Sequence, residues 1–273
     1  KKKDGSVFAG EVSSGTFKSG ERTKIIGAVR DITERLHADE KIHALTQAQM
    51  NAQERERFEI SRYLHDQVAQ DLYTLKISCE TLFEDTRTFS SGLRAKVSNM
   101  SKLLQNTIAT VRDLSYNLRP PGMEHLGLAQ TLFQYCEDFS KKTGVRIDFT
   151  SAGMNDLKTD ELTEINLFRL LQEALNNVHQ HAQAVRAKVR LVASFPHIIL
   201  RIEDDGIGFD VQSCLIKAAS EKRMGLGNMQ ERIRLLGGRL RIESRAGEGS
   251  KIVAEVPYKE KPGDKTKNRF DHR

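Results

Sequence analysis

Four short clusters in this 273-residue chain have residue types and spacings that suit chemistry. In Glu173-Ala174-Leu175-Asn176-Asn177, a carboxylate and an amide stand four residues apart, on one face of a helix. Asp204-Asp205-Gly206-Ile207-Gly208 places an acid at the end of a strand, followed by glycines that let the backbone turn tightly. Gly225-Leu226-Gly227-Asn228-Met229 opens a helix, whose unpaired N–H groups and dipole favour a phosphate. Gly247-Glu248-Gly249-Ser250 adds a turn and a hydroxyl leading into a last strand. Together they describe a nucleotide site. Asp204 accepts a hydrogen bond from the amino group of a base, the glycines lie beneath it, and the helix start takes phosphate. Mg²⁺ takes oxygen ligands and keeps several waters, so one amide oxygen plus phosphate oxygens suffice. Asn177 is the expected metal ligand, with Glu173 beside it as a second acid. Taken singly, the Glu173 and Asn177 pair reads better as ordinary polar residues on an exposed face, and Asp-x-Gly-x-Gly is a pattern that many turns share.

A fifth cluster, Leu64-His65-Asp66-Gln67-Val68-Ala69-Gln70, says what the nucleotide is for. His65 follows an apolar stripe residue, Leu64, which puts its ring at the edge of the stripe and within reach of solvent. A carboxylate at Asp66 can hold one ring nitrogen as N–H and make the other more basic. That second nitrogen can attack a γ-phosphate. Gln70, four residues after Asp66, can orient a water for the reverse hydrolysis. Such chemistry needs positioning, metal and charge stabilisation rather than elaborate covalent catalysis. His179 and His181 lie two apart and face different ways, which argues against a zinc pair.

The elements that must position these groups follow from periodicity. Residues 34–84 contain neither Pro nor Gly and are strongly helix-forming. Ile60, Leu64, Val68, Leu72, Leu75, Cys79 and Leu82 supply an apolar stripe at steps of three and four. Residues 85–92 break the pattern. A second helix carries Leu93, Val97, Met100, Leu104, Thr107, Val111, Leu114 and Leu118, a heptad seam with one polar member, and Pro120-Pro121 stops it. Two helices bury such seams poorly and four bury them well, so a symmetric homodimer forming a four-helix bundle is expected. Beyond residue 121 the pattern is mixed. Helices are expected over 126–142, with Leu128, Leu132 and Phe139 inward, over 160–181 and over 226–236, the last ended by Gly237-Gly238. Strands are expected over 145–150, 185–193, 197–203, 239–244 and 250–256, as antiparallel neighbours in one sheet with helices on one face. The fold class is therefore α plus α/β: a helical hairpin that dimerises, then an α/β sandwich. At the front, strands over 7–12 and 24–30 flank a polar loop over 13–23, too little for a core of its own.

The nucleotide clusters, in this order and at these intervals, resemble the asparagine-bearing and glycine-rich boxes of the Bergerat-type ATPases, which include histidine kinases, gyrase and MutL. That resemblance implies ATP as ligand, with adenine on Asp204 and Mg²⁺ on Asn177. It adds Glu173, His181, Gly206, Gly208, Gly225, Leu226, Gly227 and Ser250 to the binding set. The stretch 54–70 resembles the phosphoacceptor segment of nitrate-sensor-type histidine kinases. Leu118-Arg119-Pro120-Pro121, Leu126-Gly127-Leu128 and Gln172-Glu173-Ala174-Leu175-Asn176-Asn177 fit the same subfamily, and the likeness runs over about residues 41–257. It implies phosphorylation of His65, with Asp66 as base, Gln70 serving a phosphatase activity, and transfer to an aspartate on a response regulator receiver domain. Asp31-Ile32-Thr33-Glu34-Arg35 resembles the segment that closes PAS sensor domains. The expected domains are a PAS remnant (1–35), a dimerisation and phosphoacceptor domain (36–120), a catalytic ATP-binding domain (121–258) and a basic tail (259–273). Three positions depart from the pattern: Gln180 where Lys or Arg is common, Met224 where His is frequent, and Ser250 in place of Thr. The first two put catalytic rate in doubt more than ATP binding; Arg223 is close enough in sequence to add charge.

Composition sets the remaining bounds. With 43 Lys plus Arg against 37 Asp plus Glu, the formal charge is +6, and much of the excess sits in the tail. With no Trp, a solvated tail accounts for it better than a nucleic-acid surface, and no direct nucleic-acid binding is expected. Cys79, Cys136 and Cys214 lack zinc-ligand or redox spacing and read as reduced cytoplasmic thiols. No apolar run is long enough to cross a bilayer. The chain opens on Lys1-Lys2-Lys3 and reads as a cytoplasmic piece of something longer, with a membrane-anchored parent left open. Two other readings compete. A nucleotide-binding scaffold that signals by shape alone is opposed by the intact His65, Asp66, Asn177, Asp204 and Gly225. An ATPase clamp explains the pocket but neither the His65 helix nor the heptad seam.

Overall fold

The computed structural model describes residues 5, 7–19, 22–84, 91–120, 123–154, 157, 159–211, 214 and 225–258. The chain divides into two compact units, Lys1–Arg119 and Pro120–Arg273. Residues 85–90 of the break expected over 85–92, most of the stretch 212–224 and the tail 259–273 lie outside the described residues. Among those described, no helix is long and apolar enough to cross a membrane.

The first unit opens with an antiparallel hairpin of β1 (Gly10–Ser19) and β2 (Arg22–Asp31), paired from Gly10↔Asp31 to Ser19↔Arg22. The polar loop expected over 13–23 is a misreading: residues 13–19 continue β1, and β2 begins at Arg22. Ladder bonds use only backbone groups, so a run of Ser, Gly and Thr stays extended while a partner strand lies alongside. Val12, Ile25, Ile26 and Val29 are exposed, so the hairpin has no core of its own. The first expected strand starts late because residues 7–9 serve the next element instead. Ile32 N–H donates to Ala9 O, and Ala9 N–H donates to Thr33 Oγ1. Asp31 Oδ1 accepts the Thr33 N–H at 3.0 Å, a local side-chain turn that launches the helix.

That helix is continuous but changes winding: α1 (Thr33–Tyr63), a π turn (Leu64–Val68) and α2 (Ala69–Glu84). Then α3 (Ser91–Leu118) returns alongside it, with Gly92 in its first turn rather than in the expected break. Ser101 Oγ donates to Glu80 Oε1 at 2.6 Å, and this bond holds the Glu80 carboxyl below the usual carboxylate range. The expected seams are only half covered: Leu64, Val68, Leu72, Cys79, Val97, Leu104, Val111 and Leu118 are half-buried, while Ile60, Leu75, Met100, Thr107 and Leu114 stay exposed. The fully buried positions on these stretches lie outside the expected seams: Ser61, Ala69, Ile108 and Ser115. Each helix meets one neighbour within the chain, and one neighbour covers one stripe.

The second unit runs α4 (Met123–Thr143), β3 (Arg146–Ala152), α5 (Glu161–Asn177), a π turn (Val178–Ala182), β4 (Arg186–Ser194), β5 (His197–Asp204), α6 (Gly225–Leu235), β6 (Arg239–Ser244) and β7 (Ser250–Pro257). One five-stranded sheet has the order β3-β4-β5-β7-β6. All pairs are antiparallel except β3–β4, which is parallel. The expectation of antiparallel neighbours fails at that edge because α5 lies between the two strands and carries the chain back to the starting end. Side chains alternate, burying Ala187, Val189 and Leu191 on β4, Ile198, Leu200 and Ile202 on β5, and Ile252, Ala254 and Val256 on β7. Leu132, Phe168, Leu171, Leu175 and Ile233 from the helices are fully buried with them, and the expected inward residues Leu128 and Phe139 are buried too. Helix α4 begins three residues before its expected start and kinks at Gly127, whose backbone is not helical (φ 74°, ψ 167°). Asp160 caps α5, accepting from Thr163 N–H and Thr163 Oγ1, each at 2.8 Å.

Removing this cap has a defined cost. Asp160→Ala should lower stability by about 1 kcal/mol, whereas Leu132→Ala should cost about 2–5 kcal/mol by opening a cavity in the core. Urea unfolding of the full chain, followed by circular dichroism, measures both.

Candidate nucleotide and phosphoacceptor sites

The π turn after α5, the end of β5, the start of α6 and the start of β7 converge on a cavity of about 280 Å³. Of the expected binding residues, Asn177, His181, Asp204, Gly208, Gly225, Leu226 and Ser250 line it. Asp204, the last residue of β5, stands directly opposite Ser250, the first residue of β7. Its Oδ1 accepts the Gly206 N–H at 2.9 Å, and its Oδ2 accepts the Ser250 hydroxyl. Two of the roughly four acceptor positions of the carboxylate are thereby used to orient it, and two stay available. Ser250, noted in the sequence as a departure from Thr, still supplies a hydroxyl at this point. Gly208 has φ +63°, and a Cβ there would lie 2.0 Å from the Arg245 carbonyl oxygen, so only glycine fits.

Three expected members are not among the lining residues. Gly206 is buried with its α-carbon against Ala182 and the Asp204 carboxylate, both of which line the cavity. Glu173 does not line the cavity beside Asn177. Its Oε1 lies where a Cβ on Gly225 would be only 2.5 Å away, which sets the carboxylate against the first turn of α6. A negative charge is favoured there by the helix dipole. Gly227 is outside the lining, with open space where a Cβ would stand.

Sequence reasoning missed the apolar walls: Ala174, Val178, Phe209 and Ile252 also line the cavity. Their spacing reads as core, and Ala174, Val178 and Ile252 are indeed buried. Residues 160–181, expected as one α-helix, end in a π turn, and Gln183 closes it with φ 53°. Such turns occur often at functional positions. Here His181 lines the cavity while His179 stacks edge-on against Phe139 at 6.2 Å, so the two imidazoles do face different ways. Buried polar ties brace the frame. Arg232 on α6 donates to Asn166 on α5 at 3.2 Å, and Arg169 donates to Gln172 at 2.8 Å. Tyr135 on α4 hydrogen-bonds to the same Gln172, and burial pushes its hydroxyl up to about 12. A larger groove of about 870 Å³ shares Asp204 and Ser250, but Arg186, Lys188, Glu243 and Lys251 wall it, and neither Asn177 nor the α6 start reaches it. Arg223 and Met224 lie outside the described residues, and Gln180 is exposed.

In the first unit, His65 is the second residue of the π turn Leu64–Val68. Its side chain is 49% exposed and that of Asp66 61%. His65 Nδ1 and Asp66 Oδ1 are 3.1 Å apart. With Nδ1–H donating to the carboxylate, the free lone pair is on Nε2. Gln70 is exposed in the first turn of α2.

Residues 56–123 match the family model described as histidine kinase. Residues 163–260 match the model described as histidine kinase-, DNA gyrase B-, and HSP90-like ATPase. The chain is 31% identical over 236 residues to the signal transduction histidine-protein kinase/phosphatase DegS of Brevibacillus brevis, covering 85% of this chain and 59% of that protein. This chain belongs to the sensor histidine kinases. Two more sensor histidine kinases are similar. MctS of Rhizobium johnstonii is 34% identical over 82% of this chain and 48% of its own length. ComP of Bacillus subtilis is 33% identical over 75% of this chain and 26% of its own length. The chain thus spans only about a quarter to three fifths of these sensor kinases.

The cavity is testable through its thiol. Burial pushes the Cys136 thiol up to about 12, so at pH 8 it stays protonated, whereas Cys214 is exposed and lines the cavity. The thiolate is the reactive form. Iodoacetamide at pH 8 should therefore modify Cys214 and spare Cys136 in the folded chain, as read by peptide mass spectrometry.

Proposed function

We propose that this chain binds ATP in the cavity below α6, phosphorylates itself on His65 and passes the phosphoryl group to an aspartate of a response regulator receiver domain. The observation that carries the reading is the half-exposed His65 ring with Nδ1 on Asp66, in a chain that also holds an ATPase-type cavity. In the transfer, the His65 Nε2 lone pair forms a bond to the γ-phosphorus as the bond from that phosphorus to the β,γ-bridging oxygen breaks, and ADP leaves. The ring gains positive charge, which Asp66 stabilises by taking up the Nδ1 proton in part or whole. Asp204 orients an adenine amino group through its unused acceptor positions, and the apolar walls exclude water from the base. The α6 N-terminus, with open space at Gly227, faces the phosphates. The amide oxygen of Asn177 is a hard donor of the kind Mg²⁺ takes, and Mg²⁺ bound there neutralises phosphate charge.

Further parts of the reading rest on the family. A second copy covers the exposed stripe Ile60, Leu75, Met100 and Leu114, completing a four-helix bundle around residues 36–120. Residues 121–258 form the catalytic domain, and the coreless β1–β2 hairpin is the closing edge of a PAS domain. Gln70 orients a water for dephosphorylation of the regulator; the similar DegS is named a kinase/phosphatase.

Incubation with γ-labelled ATP and Mg²⁺ tests the proposal. Acid-labile, base-stable label should appear and should be lost in His65→Gln. ATP binding without label would favour a scaffold, and phosphate release independent of His65 would favour a clamp. Asn177→Ala should abolish Mg²⁺-dependent labelling; unchanged labelling removes it from the metal shell. Gln70→Ala should slow loss of phosphate from the regulator while self-labelling stays near normal, and equal loss of both would count against that role.

A further inference from the structure

We infer that Ser61 and Ser115 form an interhelical clasp that sets the π turn carrying His65, and that both are positioning residues for phosphoryl transfer. The inference rests on the kinase reading for its consequence, but on the helix geometry for its cause. Ser61 and Ser115 are 5% and 0% exposed, the two deepest polar positions of the hairpin among the described residues. Their bonds are reciprocal. Ser115 Oγ donates to the Ser61 carbonyl at 3.0 Å, while Ser61 Oγ lies 2.9 Å from the Ser115 carbonyl, 3.0 Å from Ser115 Oγ and 3.0 Å from the Arg119 carbonyl. Both hydroxyls are thus satisfied without water. The Arg119 guanidinium then lies over the Phe58 ring at 4.2 Å, closing the last turn of α3 onto α1.

The Ser61 carbonyl matters because of the N–H it would serve. In an α-helix it is the acceptor for the N–H four residues on, which here is His65. That carbonyl is already approached by the Leu64 N–H and by the Ser115 hydroxyl. A side chain that enters the ladder is one of the few identifiable causes of local unwinding. The ladder slips directly afterwards: the π turn begins at Leu64, and the Ala69 N–H closes it on Leu64 O, five residues back. The slip inserts one residue, worth roughly 100° of rotation about the axis. His65 and Asp66 sit on the inserted turn, so the clasp decides which way the ring points relative to α2 and α3. The hydrogen bonds of the two serines run to each other and to backbone carbonyls and not to the ring, so their effect is on its orientation.

The test uses the full chain as parent, Ser115→Ala, and the double variant Ser61→Ala with Ser115→Ala. Removing both partners leaves no unpaired buried hydroxyl and is close to neutral for stability, so the double variant should unfold within a few degrees of the parent. Its crystal structure should show the Ala69 N–H returned to His65 O, an unbroken α-helix. The maximal rate of His65 labelling should fall on the order of tenfold to a hundredfold, as expected for a small misplacement of a reacting atom. The KM for ATP should stay within about twofold, because the cavity is in the other unit. A retained π turn in the double variant overturns the clasp, and so does labelling at the parent's rate. A parent chain that takes no label would instead sink the kinase reading, and the Ala69 hydrogen bond would still decide the clasp.

Discussion

The register between β5 and β7 is the constraint on which the nucleotide cavity depends. It sets Asp204 against Ser250 at the mouth of the sheet, where one hydroxyl and one backbone N–H hold the carboxylate in a single orientation. A slip of one residue would send every side chain of a strand to the opposite face. That slip is prevented at a distance, because Ile198, Leu200 and Ile202 on β5 and Ile252, Ala254 and Val256 on β7 are all buried under the helices. The apolar face therefore specifies a polar contact at its edge. Asp205 reinforces the same edge by accepting the N–H groups of Val185 and Arg186, at 3.0 and 2.9 Å, where β4 begins.

The opposite face of the sheet is organised by charge. Asp148, Lys188, Glu203, Lys251 and Glu243 stand in one row across β3, β4, β5, β7 and β6, alternating in sign at every step. A hydrogen bond from Lys251 holds the Glu243 carboxyl below its usual range. Such exposed pairs, screened by water, contribute little to stability. Their larger effect is on pairing, since like charges placed directly opposite disfavour wrong registers.

The helices that carry the proposed site residues His65 and Asn177 both change winding at or beside them. One π turn carries His65 and Asp66; the other comes directly after Asn177 and carries His181. A π turn is less favourable than the α turn it replaces and persists only where side chains around it over-determine it. Buried polar contacts are available for that purpose in each unit: the serine pair between α1 and α3, and the Arg232–Asn166 bond between α6 and α5. The Ser61–Ser115 clasp assigns the first such contact a role; the second braces the helix whose start meets the cavity.

Much of this was legible in the chain alone. Steps of three and four located the helices, alternation located β4, β5 and β7, and the glycine clusters marked the turns around Asp204 and Gly225. Each is a local signal: periodicity, cap chemistry or a backbone requirement readable within a few residues. The tertiary structure decided the rest. It extended β1 through a polar run because a partner strand lay beside it, and it paired β3 with β4 in parallel. It set the Glu173 carboxylate against the start of α6, and it packed Gly206 against Ala182. It also made the two π turns, and no residue in either announces them. These outcomes turn on neighbours distant in sequence, such as Ser61 and Ser115, whose meeting depends on how two helices pack and not on what either residue prefers alone.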